Sequence, residues 1–204
     1  MDFDRILNYS GIIFDLDGTL IDSMKYHIRS WQLVGKKYGI DLKTEYLQAH
    51  GGVPSFKIAQ EVVSAYHLTE SPKSLADQKT EYYVGFIPQI EIYPMARQLL
   101  EFSKSKNIKT LIATGTLRSN VERIMALTDL GNYIDDFVSS EDVSNHKPHP
   151  DTFLVAAQKI GLRNSDCVVF EDAPLGIQAA KNGLFDCCVV KDGVFDLNAI
   201  IKTP

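Results

Sequence analysis

The sequence predicts a doubly wound, Rossmann-like α/β fold: a parallel sheet with a helical unit inserted after its first strand. Three observations carry this. Short, continuous apolar runs recur along the chain (Ile12-Ile13-Phe14, Leu111-Ile112-Ala113, Cys167-Val168-Val169-Phe170), as strands buried on both faces require. From Pro94 onward those runs alternate with helical patterns. Between about 24 and 90 the periodicity is helical and strand signals are absent.

Taken in order, the first strand runs into Asp15 and Asp17 and is stopped by Gly18, which permits a bend that a side chain would obstruct. Met24, Ile28, Trp31, Val34 and Tyr38 then recur at helical spacing, with Gly39 placed to end the helix. Helices over about Thr44–His50, Pro54–Tyr66 and Pro72–Phe86 follow, the last two with proline at or near the first turn. The second half reads helix Pro94–Lys104, strand Lys109–Thr114, helix Arg118–Thr128 and strand Phe137–Ser139. It continues with helix Asp151–Ile160 closed by Gly161, strand Cys167–Phe170, helix Pro174–Lys181 and strand Asp186–Lys191. The expected division is a core of residues 1–23 and 91–204 and a helical unit of residues 24–90.

The chain of 204 residues is 45% hydrophobic and 23% charged, as expected of a soluble globular protein able to bury a core. A formal charge of −5 disfavours bulk binding to nucleic acid or to anionic membranes. No apolar run is long enough to span a bilayer, and the acidic stretch Met1-Asp2-Phe3-Asp4-Arg5 lacks the basic region and apolar stretch expected of a secretion signal. Cys167, Cys187 and Cys188 form no zinc-like spacing and lie in apolar runs, as buried thiols of a reducing compartment do. A cytoplasmic protein is the expectation.

In an open parallel sheet, ligands bind beyond the carboxyl ends of the strands. Here those ends carry Asp15 and Asp17, then Thr114-Gly115-Thr116, then a loop with Lys147, then Glu171-Asp172. Alone, Thr114 and Asp172 fit helix caps, Lys147 a solvated loop lysine and Glu171 a surface acid. Together, four carboxylates, hydroxyls and one lysine suit a divalent cation held by hard oxygen ligands beside a bound phosphate.

Asp15-Leu16-Asp17-Gly18-Thr19-Leu20, a strand-terminal Thr114, Lys147-Pro148 and Glu171-Asp172 fall in the order of four family motifs. By them the chain resembles the haloacid dehalogenase-like (HAD) phosphohydrolases. More narrowly it is similar to the beta-phosphoglucomutase-like branch, with its phosphatases of fructose 1-phosphate and 6-phosphogluconate. Tyr26-His27, Gly52-Val53-Pro54, Pro150-Asp151 and Gly176-Ile177-Gln178-Ala179-Ala180 carry the narrower likeness, which covers nearly the whole chain.

The resemblance implies Asp15 as a nucleophile forming an aspartyl-phosphate and Asp17 as acid and then base. It implies Mg²⁺ at Asp15, the Asp17 carbonyl, Asp172 and Glu171, and charge stabilisation by Thr114 and Lys147. Contacts to a small phosphorylated metabolite would come from Gly18, Gly115, Thr116, His27, Lys79 and Arg118, with the helical unit as a cap; the sequence leaves the oligomeric state open, a monomer being the expectation. His27 and Lys79 also admit plainer readings, a locally bonded histidine and a lysine snorkelling from the stripe Leu75, Lys79, Tyr82, Phe86. The likeness is imperfect: where the mutases carry an arginine for a second phosphate, this chain has Ser55, with Lys57 nearby. Thr116-Leu117-Arg118-Ser119 replaces their Ser-Lys-Asn run, so hydrolysis is favoured over a hexose-phosphate mutase, with Arg118 as the residue able to keep the mutase alternative open.

Overall fold

A computed structural model describes residues 3–203. The chain forms two compact units, one from residues up to Asp22 together with Ile90 onward, the other Ser23–Gln89.

The larger unit is built on a sheet of order β3-β2-β1-β4-β5-β6, whose strands are β1 (Gly11–Phe14), β2 (Lys109–Ala113), β3 (Asp136–Val138), β4 (Cys167–Glu171), β5 (Asp186–Lys191) and β6 (Val194–Phe195). All pairings are parallel except β5 with β6. β1 is central, pairing Ile12 with both Thr110 and Val168. The chain leaves β1 toward β2 and β3 and then crosses to β4 on the other side. The topological switch therefore lies at the carboxyl end of β1.

The parallel strands are apolar along their length because both faces are covered. On one face Ile13, Leu111, Ala113, Val138 and Val169 pack against Phe153, Ala156 and Ala157 of α7 (Asp151–Lys159) and Ala179 and Ala180 of α8 (Pro174–Asn182). On the other, Phe14, Phe170 and Phe195 form a run of aromatic contacts with centroids 5.2 and 4.9 Å apart. Burial at this density is the main favourable term, each large side chain contributing about 2 kcal/mol. The three cysteines are free and buried, and loss of water pushes their thiols up to about 12.

The smaller unit holds α1 (Met24–Lys37), α2 (Thr44–Ala49), α3 (Ser55–Ala65) and α4 (Pro72–Phe86). Trp31, Val34, Leu47, Ile58, Ala59, Val62 and Leu75 form its core. Ser71 caps α4, its side chain accepting the Ser74 N–H at 3.1 Å, with Pro72 in the first turn.

Three details differ from the sequence expectation. The buried stripe of α4 is Leu75, Lys79 and Tyr83, whereas Tyr82 is exposed, because the face follows the i, i+4 row. Pro54 precedes α3 as its N-cap residue and does not open the helix. The edge strand β6 was not expected; it returns through Asp192 and Gly193, both at positive φ (50° and 72°), the turn that an Asp-Gly pair favours. No helix among the described residues is long and apolar enough to cross a membrane.

Candidate active site

The backbone beyond β1 sets the site. Asp15 stays in register, its N–H donating to the Phe170 carbonyl at 2.9 Å, so its side chain emerges beside the end of β4. Gly18, at φ 88°, then turns the chain. Its N–H donates to the Ile21 carbonyl at 3.0 Å, so the turn itself takes that donor. Thr19, next in the turn, donates from Oγ1 to Asp172 Oδ1 at 2.8 Å and ties the turn to the end of β4.

Lys147 is the hub. Its Nζ lies 2.6 Å from Asp15 Oδ1, 2.7 Å from Glu171 Oε2 and 3.2 Å from the Ala113 carbonyl, so each proton of the ammonium has an acceptor. It also stands 4.7 Å from the ring centroid of the buried Phe153. With its side chain only 9% exposed, Lys147 is not a solvated loop lysine. Burial opposes its charge, but Asp15 and Glu171 outweigh that effect and hold its pKa above the ordinary lysine value.

Glu171 is equally far from a surface acid, at 1% exposure. Its Oε1 accepts the N–H groups of Asp172 (3.0 Å) and Ala173 (2.9 Å), while Oε2 accepts from Lys147. Asp172 does not cap α8; Ala173 holds that position without a side-chain bond. Nor does Thr114 cap α6 (Arg118–Leu127), whose N-cap is Leu117. Instead Thr114 Oγ1 accepts the Thr116 N–H at 3.1 Å across the exposed Gly115, and Thr116 Oγ1 donates to Asp17 Oδ2 at 2.5 Å. Hydrogen bonds thus link Thr114, Thr116 and Asp17 in one set and Asp15, Lys147, Glu171 and Asp172 in another, both at the carboxyl ends of the strands.

Arg118 is drawn elsewhere. It is paired with Asp142, lies 4.9 Å from the Phe137 ring centroid, and its N–H donates to Glu141 at 2.7 Å. Its guanidinium and its backbone donor are both taken by acids of the short turn Ser140–Asp142. Within the helical unit, Lys79 is 4% exposed, so its ammonium does not snorkel to water. Its Nζ is 2.7 Å from His27 Nδ1, and the His27 ring stacks on Tyr83 at 4.1 Å.

Sequence reasoning did not find Thr19, Phe153 or the Glu141–Asp142 pair as parts of this arrangement. Thr19 carried a signal, lying inside the Asp-rich turn.

Asp15, Glu171 and Asp172 each place a carboxylate oxygen within 4.8 Å of the others. Three carboxylates around one ammonium leave an excess of negative charge. Burial first, then Glu171, pushes Asp15 well above the ordinary carboxylate range, Lys147 only partly opposing this. Burial and the same neighbour raise Asp172 to about 7. Hard oxygen donors crowded beyond what one lysine neutralises fit a divalent cation such as Mg²⁺.

A pH dependence follows. The raised Asp172 stabilises the metal-free protein fully below the unfolded value near pH 4, and that contribution is lost as pH rises through about 7. A magnesium ion bound in this cluster would compete with the proton for the carboxylate. Mg²⁺ is therefore expected to raise the melting temperature more at about pH 8 than at about pH 5. Thermal melts with and without Mg²⁺ check this; an increment independent of pH contradicts it.

Residues 12–190 match the family model of haloacid dehalogenase-like hydrolases. The chain belongs to that family. The hydrolase is 34% identical to fructose-1-phosphate phosphatase YqaB of Escherichia coli, over 90% of its own length and 97% of the relative's. It is 31% identical to a phosphorylated carbohydrates phosphatase of Thermotoga maritima, covering 84% of this chain and 80% of that one. Among solved structures, the beta-phosphoglucomutase of Clostridium difficile superposes with a TM-score of 0.78 at 26% identity, covering 88% of this chain and 83% of that one.

Proposed function

We propose that this hydrolase is a Mg²⁺-dependent phosphatase that removes phosphate from a small phosphorylated sugar or polyol through an aspartyl-phosphate on Asp15. The observation carrying it is the contact of Asp15 with Lys147 at 2.6 Å, inside a cluster with Glu171 and Asp172 at the sheet's switch point. A carboxylate so placed can meet an incoming phosphoryl group with a fixed cation beside it.

Asp15, Asp172 and the Asp17 carbonyl would hold the metal, with Glu171 acting directly or through water. Bound Mg²⁺ supplies positive charge that lets an anionic carboxylate approach an anionic phosphate. In the first step an Asp15 oxygen bonds to phosphorus as the bond from phosphorus to the sugar oxygen breaks. Asp17 gives that oxygen its proton. In the second step Asp17 takes a proton from water, whose oxygen bonds to phosphorus as the Asp15–phosphorus linkage breaks. Thr116 donates to one Asp17 oxygen and so orients the carboxyl for both transfers. Lys147 and Thr114 stabilise charge on the transferring oxygens.

Sugar or polyol phosphates are the substrate class supported by the named activities of YqaB and the Thermotoga maritima relative. Hydrolysis rather than mutation of the sugar is supported by Arg118, whose pairing with Asp142 leaves it poorly disposed to hold a second phosphate. Assaying phosphate release from a panel of phosphorylated metabolites, with and without Mg²⁺, tests the proposal. Steady release that requires Mg²⁺ is the expected result. Interconversion of hexose phosphates dependent on a sugar bisphosphate, without net release, would indicate a mutase.

Asp17→Asn is expected to lower turnover of sugar phosphates by about 10²–10⁴-fold. Phosphorylation of Asp15 by p-nitrophenyl phosphate, whose leaving group needs no proton, should slow far less. Equal slowing of that first step for both substrates in quenched-flow measurements would remove Asp17 as the acid.

A further inference from the structure

Gly176 lies in the first turns of α8, three residues into the helix that follows Glu171 and Asp172. Its φ lies outside the left-handed region, so its backbone does not call for glycine. On helix propensity alone, alanine would be the better residue there. The reason for glycine is space. A Cβ at 176 would stand 1.9 Å from Glu171 Oε2, 2.1 Å from its Cδ and 2.6 Å from its Cγ. Those atoms belong to no flexible tip. The Glu171 carboxylate is buried and held by the Asp172 and Ala173 N–H groups and by Lys147.

We propose that Gly176 is a positioning residue: the bare face of α8 at this point is the seat of the Glu171 carboxylate, and through it Lys147 is held against Asp15. A methyl group at 176 would push Glu171 out of its seat. Lys147, keeping one carboxylate partner in place of two, would then leave the geometry in which it bridges Asp15 and Glu171 at 2.6 and 2.7 Å. The consequence for catalysis rests on the phosphatase reading above; the consequence for Lys147 does not.

The test measures lysine reactivity as well as turnover. Trace acetylation of the intact protein, read by mass spectrometry, gives the rate at Lys147 relative to Lys73, whose side chain is 79% exposed. In Gly176→Ala that ratio is expected to rise at least about tenfold, while the buried Cys167 and Cys188 stay unreactive toward a thiol reagent and so report an intact core. With p-nitrophenyl phosphate and Mg²⁺, kcat should fall by about tenfold or more. In Glu171→Ala the seat is empty, so adding Gly176→Ala should change neither the ratio nor kcat by more than about twofold. If Gly176→Ala fails to fold, soluble and protected Glu171→Ala/Gly176→Ala supports the seat, whereas loss of both beside a folded Glu171→Ala overturns it. An unmoved Lys147 ratio in folded Gly176→Ala, or effects that multiply in the double variant, also overturns it. Should the wild type release no phosphate, the phosphatase reading falls while the reactivity ratio still decides the role of Gly176.

Discussion

Asp15→Asn is expected to lose turnover by at least about 10⁴-fold while the fold is retained. The amide cannot serve as phosphoryl acceptor, so the chemical step fails although Lys147, Glu171 and Asp172 remain. Stability should move the other way in the metal-free protein. Burial first, then Glu171, raises the proton affinity of Asp15 against the opposing effect of Lys147, so removing its charge relieves desolvation and repulsion. Lys147 keeps Glu171 at 2.7 Å and the Ala113 carbonyl at 3.2 Å. The variant should therefore melt at or above the wild-type temperature without Mg²⁺ and gain less from adding it. Circular dichroism melts and a phosphate-release assay check both halves. Near-wild-type turnover would remove Asp15 from the chemistry.

Lys147→Met is the second large effect, and it strikes both activity and stability. Methionine keeps most of the stem's volume beside Phe153 but abolishes the cation. Two buried carboxylates then face each other with their shared partner gone. Breaking a buried ion pair from one side typically costs about 3–5 kcal/mol, although Asp15 escapes part of this by holding a proton. Turnover should fall by about 10²–10³-fold, the loss expected when one preorganised charge-stabilising donor is removed. Mg²⁺ should restore more melting temperature to this variant than it adds to the wild type, because the ion becomes the chief counter-charge in the cluster. A variant as stable and active as the wild type would mean that Lys147 bridges the acids without serving them.

The parts of the fold that could be read from the residues were those with local signals. An apolar run ending in Asp-Leu-Asp-Gly can hardly be other than a strand meeting a turn, and the alternation of buried strands with helices dictates a parallel sheet. Because ligand sites in such sheets gather at strand ends, Asp15, Thr114, Lys147, Glu171 and Asp172 could be collected on one rim before any coordinates. What escaped depends on partners far apart in the chain. Nothing near Arg118 announces Asp142, 24 residues on, as its partner. Glycine at 176 looks like a weak point in a helix until the Glu171 carboxylate is seen lying where its side chain would be. The β5–β6 hairpin is a different case, because Asp192-Gly193 is a strong turn signal and was there to be used.

The central claim is that Asp15 takes the phosphoryl group, and the most direct measurement is to catch it there. The protein is mixed with Mg²⁺ and a phosphorylated substrate, quenched in acid within the first turnover, digested and analysed by mass spectrometry. A single phosphoryl group on the peptide bearing Asp15, absent from Asp15→Asn and longer-lived in Asp17→Asn, is the predicted result. Phosphate released at full rate with no phosphorylated peptide at any quench time, or with the group on another residue, would contradict it.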